Sequence, residues 1–531
     1  MSNGRKVLVT IAMLTGLLIA ALDQTIVDTA FPKMIAELGG VSMFTWVITA
    51  YLLASTAIVP MVGKLSDIYG RKLFWMLGIA IFVGGSVLCG QSQSMTQLII
   101  FRGIQGIGGG MIMPVVQTII GDMYSGERRA RMQGLFTGVM ALGSMVGPLV
   151  GGWIVDHFHW KYIFLINIPT GALALLLSAW SLKELPVTRG RRVDWLGSSL
   201  SFMTIATFLL ALQGGGDQWA WGAWQSLALF GTSAVSLVLF VITELRVAEP
   251  ILDLKLFANR TFAVISLIAF VVGAGMFGGI VFFPWFIQGV VGASATSSGT
   301  VLLPMTIMMM IGALLGGRIA RRLEYRWQVG VGLAIVSAGF LAATRFSAAT
   351  TLWEARAAIM LLGFGMGLVQ PIITVAMQQA FGRDRRGTVT AAATFFRSVG
   401  SAVGVTLFGL LFNSQMSRQF DLLLAPKLRA LPQAVTAGFS ALAEKPSDLV
   451  QVLLQPHLQE RIPGTVADTI RTMMTLSIHP VFWAAAILVA CGAAAAQLLG
   501  RESLATQAKR LQELDQSSST TVPELPSTRT R

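Results

Sequence analysis

Ionisable side chains are costly in hydrocarbon, so those inside long apolar stretches are the first place to look for chemistry. In this chain they are few: Asp23, Asp28, Arg102 and Arg397. Withdrawal from water favours the neutral form of an acid, and a cation close by favours the charged form. A carboxyl poised between those influences can load and release a proton. Asp23 is the candidate carrier, with Arg102 tuning it; a structural ion pair locking two helices is the other reading of the same residues. At 1.5 Å per helical residue, Asp28 lies about 5 Å from the nearer end of its apolar stretch, Arg102 about 8 Å and Asp23 about 12 Å. Arg102 can therefore reach either carboxylate. Asp23 and Asp28 stand five residues apart, about 140° around a helix, so they do not form one paired dyad. Arg397, about 14 Å into its own stretch, has no carboxylate partner deep in the second half; Glu354 lies near a stretch end.

The elements that hold these groups follow from composition. The chain has 531 residues, 54% hydrophobic and only 12% charged, against roughly 25% charged in soluble domains. Water-soluble domains and extended disorder are excluded. So is a disulfide framework, because Cys89 and Cys491 are the only cysteines. Apolar residues come in unbroken runs of about twenty, which excludes the alternating pattern of a β-barrel. The sequence predicts an all-α polytopic membrane protein with fourteen spans, near 7–31, 44–65, 73–92, 97–121, 131–155, 160–182, 196–214, 224–243, 262–288, 298–320, 327–346, 354–378, 388–412 and 479–500. The seventh is the most dilute, with Thr204, Thr207 and the glycines at 214–216.

Charge placement tests that count. The net charge is +14, but the cations fall in the connections after even-numbered runs, including Lys64, Arg71, Lys72, Arg128, Arg129, Arg189, Arg246, Arg318 and Arg385. The short connections on the other side hold only Lys33, Lys161, Arg345 and Arg356. This is the positive-inside pattern with both termini cytoplasmic, not a nucleic-acid surface. Residues 413–478 form the one large extracytoplasmic piece, cut by five prolines. Stretches such as 448–454 look amphipathic and suited to the membrane surface. The end beyond Gly500 is polar.

The two halves repeat at a constant offset of 257: Glu127-Arg128-Arg129 matches Asp384-Arg385-Arg386, Gly143-Ser144 matches Gly400-Ser401, and Gly108 and Pro114 match Gly365 and Pro371. Repeats of this kind mark secondary transporters with a substrate site between the halves. The expected organisation is an N-terminal six-helix bundle over 1–183, two linking helices over 184–260, a C-terminal six-helix bundle over 261–500 and a cytoplasmic tail over 501–531.

Several motifs lie on this frame. The connection after run 2 reads Gly63-Lys64-Leu65-Ser66-Asp67-Ile68-Tyr69-Gly70-Arg71-Lys72. Run 4 carries Arg102-Gly103-Ile104-Gln105-Gly106-Ile107-Gly108, and run 5 carries Gly138, Gly143, Gly147-Pro148 and Gly151-Gly152. Run 1 holds Leu22-Asp23-Gln24-Thr25-Ile26-Val27-Asp28-Thr29-Ala30-Phe31-Pro32, and run 6 opens Trp160-Lys161-Tyr162-Ile163-Phe164-Leu165-Ile166-Asn167-Ile168-Pro169. Together these resemble the major facilitator superfamily, in particular its fourteen-helix drug:proton antiporters. The resemblance implies a conformational-switch loop at Gly63, Asp67, Gly70, Arg71 and Lys72. It also implies an antiporter motif at Gly138, Gly143, Gly147, Pro148 and Gly151, and proton coupling through Asp23, Asp28 and Arg102. The family usually has Asn where this chain has Asp28.

A cavity for bulky lipophilic molecules needs aromatic, methionine and sparse polar walls. Tyr51, Gln105, Trp285, Gln288, Met308 and Arg397 are the candidate substrate residues. No Gly-x-x-x-x-Gly-Lys-Ser/Thr loop is present, so no ATP-driven motor is expected. His157 and His159 without further ligands are weak grounds for a metal. The expected function is proton-coupled export of lipophilic, often cationic drugs or dyes from the inner or only membrane of a prokaryote, with no cofactor beyond the proton gradient. Dedicated export of a lipid, siderophore or tetracycline-like anion is the alternative, and a non-transporting receptor or scaffold the distant one. The expected partners are substrate, protons and membrane lipid, with an adaptor or lipoprotein at 413–478 as a further expectation; no nucleic acid is expected.

Overall fold

The computed structural model describes residues 3–40, 43–124, 126–182, 194–215, 219–247, 250, 254–319, 323–379, 386–429 and 464–500. Among them are fourteen long helices. In the first half these are α1 (Asn3–Leu38), α2 (Phe44–Tyr69), α3 (Arg71–Gly90), α4 (Met95–Met123), α5 (Gly126–His157) and α6 (Tyr162–Ser181). Two follow as α7 (Trp195–Gly214) and α8 (Trp224–Arg246). The second half has α9 (Arg260–Val290), α10 (Ala295–Ile319), α11 (Tyr325–Ala343), α12 (Leu352–Gln379), α13 (Arg386–Gln419) and α14 (Gly464–Ala495). Twelve are long and apolar enough to cross a membrane by length and composition. The other two are α2, whose apolar part Phe44–Val59 is shorter, and α5, which opens on Glu127, Arg128 and Arg129. The dilute seventh run is helical, as α7. Large apolar side chains such as Leu176, Leu227, Leu237 and Leu314 are exposed, as lipid-facing surfaces require.

The halves pack alike. α1 lies against α5, α2 and α3 against α4; correspondingly α9 lies against α13, and α10 and α11 against α12. The repeated glycines explain why. A Cβ on Gly108 would strike the backbone of Gly78 and Phe82 on α3, and one on Gly365 would strike the backbone of Gly332 on α11. Likewise Gly143 abuts Ala21 on α1, and Gly400 abuts Phe270 on α9. The offset of 257 thus preserves close backbone approaches. Gly108→Val is expected to lower the thermal melting point in detergent by the equivalent of about 1–3 kcal/mol of overpacking. Gly103→Val, where a Cβ meets nothing within 4 Å, is expected to melt like the parent; equal melting of the two variants would sink the packing argument.

Between the halves, α5 meets α10 and α2 meets α13, while α7 pairs with α8 and touches α2 and α13. We call the end of the bundle holding Asn3 proximal and the end holding Leu38 distal. Buried apolar residues separate accordingly. Val9, Met13, Leu17, Trp75 and Ile119 form a proximal core within the first half. Distal residues Ile26, Phe31, Phe44 and Val47 are instead continuous with the core of the second half.

Two sequence expectations change. The switch connection is not a loop: α2 runs on to Tyr69, and the whole turn is Gly70, whose φ of 101° suits glycine. Nor do the described parts of 413–478 stand apart from the spans; residues 430–463 lie outside the described residues. α13 continues through a π turn at Phe420–Leu424 into the helix Ala425–Arg429, and α14 begins at Gly464, fifteen residues before the expected 479. Thr465, Arg471, Thr472 and Thr475 dilute that stretch, but Val466, Ile470, Met473 and Met474 recur at helical spacing and are buried. Stretch 448–454, the connection 183–193 and the tail 501–531 lie outside the described residues.

Candidate functional site

Four helices bring a closed polar network together inside the first half. α4 is fixed at its distal start by Ser94, whose hydroxyl accepts the Gln97 N–H, while the Gln97 side chain accepts the Gln93 N–H. About two turns further in stands Arg102. Its Nη1 donates to Asp23 Oδ2 at 2.6 Å and to Gln105 Oε1 at 2.7 Å. Gln105 Nε2 donates to Asp23 Oδ1 at 2.8 Å and to Ser86 Oγ at 2.6 Å. From α6, Asn167 Nδ2 donates to Asp23 Oδ1 at 3.2 Å and to Ser86 Oγ at 3.0 Å. The Cys89 thiol donates to Gln105 Oε1 at 3.6 Å. Asp23, Ser86 and Gln105 are wholly buried, and Arg102 is 3% exposed.

Local sequence makes room for this. Gly85 has no Cβ because Gln105 occupies that place. α6 turns at Ile166 before Asn167; Pro169, lacking an N–H, cannot bond back to Leu165, so the helix restarts there. Gly106 and Gly109 lie flush against Tyr51, which is itself buried. The Arg102 guanidinium sits 4.3 Å from the Tyr51 ring centroid and 5.9 Å from that of Phe164, a cation–π arrangement. An acid held by three donors in a dry site has one dominant arrangement. Neutralising Asp23 would weaken its bond to Arg102, so charge and helix packing are coupled here.

Of the two acids, Arg102 pairs with Asp23. Asp28 is half-buried and has no hydrogen bond or ion pair among the described residues. The Arg71 guanidinium donates to the Thr118 carbonyl at 2.9 Å and Lys72 donates to the Ala179 carbonyl at 3.1 Å. The surroundings of Gly63 and the side chain of Asp67 lie outside what the structure describes. In the antiporter motif, Gly143, Gly147 and Gly151 abut Ala21, Thr25 and Thr29 of α1, so this motif packs on the helix that carries Asp23. Gly138 makes no such close approach: a Cβ there meets nothing within 4 Å. The carbonyl of Pro148 lies against Gly299, and Gly152 against the Ala295 carbonyl, both on α10.

The substrate candidates divide. Tyr51 and Gln105 serve the Asp23–Arg102 network. Trp285 and Gln288 belong to the distal seam rather than to an open wall. The Trp285 ring lies tilted 4.4 Å from Phe44 and edge-on 5.8 Å from Phe412, centroid to centroid, and Phe44 meets Phe31 and Phe282. Gln288 Nε2 donates across the seam to the Thr29 carbonyl at 3.1 Å, and Thr49 and Thr406 share a 3.2 Å bond. Met308 and Arg397 are half-buried. The Arg397 guanidinium has no partner among the described residues. Sequence reasoning passed over Ser86 and Asn167. Asn167 stands inside the motif that opens run 6 but was not singled out from it, and a lone Ser in an apolar helix gives no signal.

The comparisons agree with this architecture. Residues 13–405 match the Major Facilitator Superfamily. Multidrug transporter protein MdtP of Bacillus subtilis (strain 168) is 41% identical over 494 residues, covering 91% of each chain. Multidrug resistance protein 3 of the same organism is 35% identical over 501 residues, covering 94% of this chain and 96% of its own. Among solved structures, a bacterial homolog of the human lysosomal transporter Spinster shares the fold, with a TM-score of 0.63 at 17% identity, over 93% of this chain and 98% of its own. Fold, repeat and relatives converge: the chain belongs to the Major Facilitator Superfamily, and it is a membrane transporter, not an enzyme.

Proposed function

We propose that this protein is a proton-coupled antiporter that exports lipophilic, often cationic compounds by alternating access. It would reside in the inner or only membrane of a prokaryote with both termini cytoplasmic. The observation that carries the reading is the buried Asp23–Arg102 pair with its amide clamp. A charge withdrawn from water inside a membrane is a functional candidate by default, proton relays among the roles, and this one lies on α1, against which the antiporter motif packs. The names of the bacterial relatives point to multidrug substrates. In this orientation the distal end is extracytoplasmic, the sealed seam lies outside, and the substrate enters from the cytoplasm. No cofactor beyond the proton gradient is needed.

Arg397 favours a second reading. A guanidinium without a carboxylate partner, half-buried inside a span, suits substrates carrying an acidic group, such as a tetracycline-like or siderophore anion. Purified protein in liposomes with an imposed pH gradient separates the two, with ethidium and internal pH followed together. Ethidium moving against its gradient while the pH gradient drains supports the first reading. An acidic compound moving instead, with loss of that movement in Arg397→Gln, supports the second. A pH gradient that holds while substrate moves would overturn proton coupling.

A further inference from the structure

The first turn of α10 is capped from two sources. Its own Ser294 accepts the Ser297 N–H at 3.1 Å through the hydroxyl and the Ser298 N–H at 2.9 Å through the carbonyl. The remaining two N–H groups, of Ala295 and Thr296, donate to Asp156 Oδ1 at 3.1 Å and Oδ2 at 2.8 Å. Asp156 is not on α10; it stands in the last turn of α5, in the other half. Pro148, Gly152 and Asp156 are spaced by four, so they lie on one helix face, and all three meet the start of α10. The two glycines bring the backbones together, and the carboxylate closes the cap. Other titratable side chains of the distal end have their own partners: Glu37 accepts from Trp160 and lies 2.9 Å from His159, and His157 bonds the Trp153 carbonyl.

We propose that Asp156 is a gate-positioning residue, holding the distal end shut by completing the N-terminal cap of α10 across the seam. The unfilled N–H groups of a helix start carry partial positive charge and favour an anion. While the halves touch distally, α10 has its full cap. Once they part, Ala295 and Thr296 exchange a carboxylate for water, so the cap is complete in one state only. The proposal rests on the alternating access proposed above but not on proton coupling or on any substrate.

The test uses the full chain with Cys89→Ala and Cys491→Ala and one reporter, Thr45→Cys, at a buried seam position facing Gly409. Reaction with a maleimide is timed in detergent without a pH gradient, so failure of the antiport reading leaves the result unaffected. Asp156→Ala is expected to label about tenfold faster than the reporter parent, as loss of charge-assisted bonds predicts, with an unchanged melting temperature. Unchanged labelling overturns the proposal. If the alanine variant also melts lower, Asp156→Glu decides: slow labelling restored by the longer carboxylate supports the cap, and fast labelling overturns it.

Discussion

Asp23→Asn is expected to abolish gradient-driven accumulation while leaving substrate exchange in the absence of a gradient. The side chains are nearly isosteric, so helix packing should hold. Asn cannot carry a proton, however, and its amide group would replace an acceptor that two side-chain amides and a guanidinium now address. Whichever way it turns, a donor faces a donor. A loss of at least about a hundredfold in coupled transport, roughly 2.7 kcal/mol in rate terms, is the expected result in proteoliposomes. Retained exchange separates a lost coupling site from a lost fold. Accumulation at the parental rate in folded Asp23→Asn would remove Asp23 from the mechanism and leave the pair as a helix lock.

Arg102→Ala is expected to be the most destabilising single change in the first half. It strips a buried carboxylate of its 2.6 Å donor, leaves Gln105 Oε1 with only the Cys89 thiol, and empties the face of the Tyr51 ring. Breaking one side of a buried pair costs about 3–5 kcal/mol, whereas removing both charges is often far milder. The double variant Asp23→Leu/Arg102→Ala should therefore recover much of the melting temperature lost by Arg102→Ala alone. A single variant that melts like the parent, or a double variant that melts at the sum of the two losses, would show that the pair is not energetically coupled.

How much of this was legible before the structure depends on the length scale of each signal. The fourteen helices were readable because hydrocarbon imposes runs of about twenty apolar residues, a pattern that survives the dilution in α7. The pairing of Asp23 with Arg102 was half readable: their depths brought Arg102 within reach of both acids, and only packing decided between Asp23 and Asp28. Gln105 and Tyr51 were singled out for a substrate wall, yet they surround the ion pair, because composition does not say which face of a helix turns inward. Trp285 and Gln288 illustrate the same limit, being buried in the seam between halves. The start of α14 was missed because hydropathy averages over the polar residues interspersed in a helix that extends past the apolar core. Asp156 escaped notice because the apolar run ended at 155, one residue short.

α9 would let the seam part by a change of winding. It holds two π turns, Gly273–Phe277 and Phe286–Val290, on either side of the aromatic residues that fill the seam. Each π turn stores one residue more than an α turn needs. If the stored residue passes along the helix, the segment between the turns rotates by about 100°. Such a screw displacement would carry Trp285 out of the seam as a unit, with no hinge elsewhere and no unfolding. Amide exchange at residues 273–277 and 286–290 that rises and falls together, faster than in the rest of α9, would be its signature.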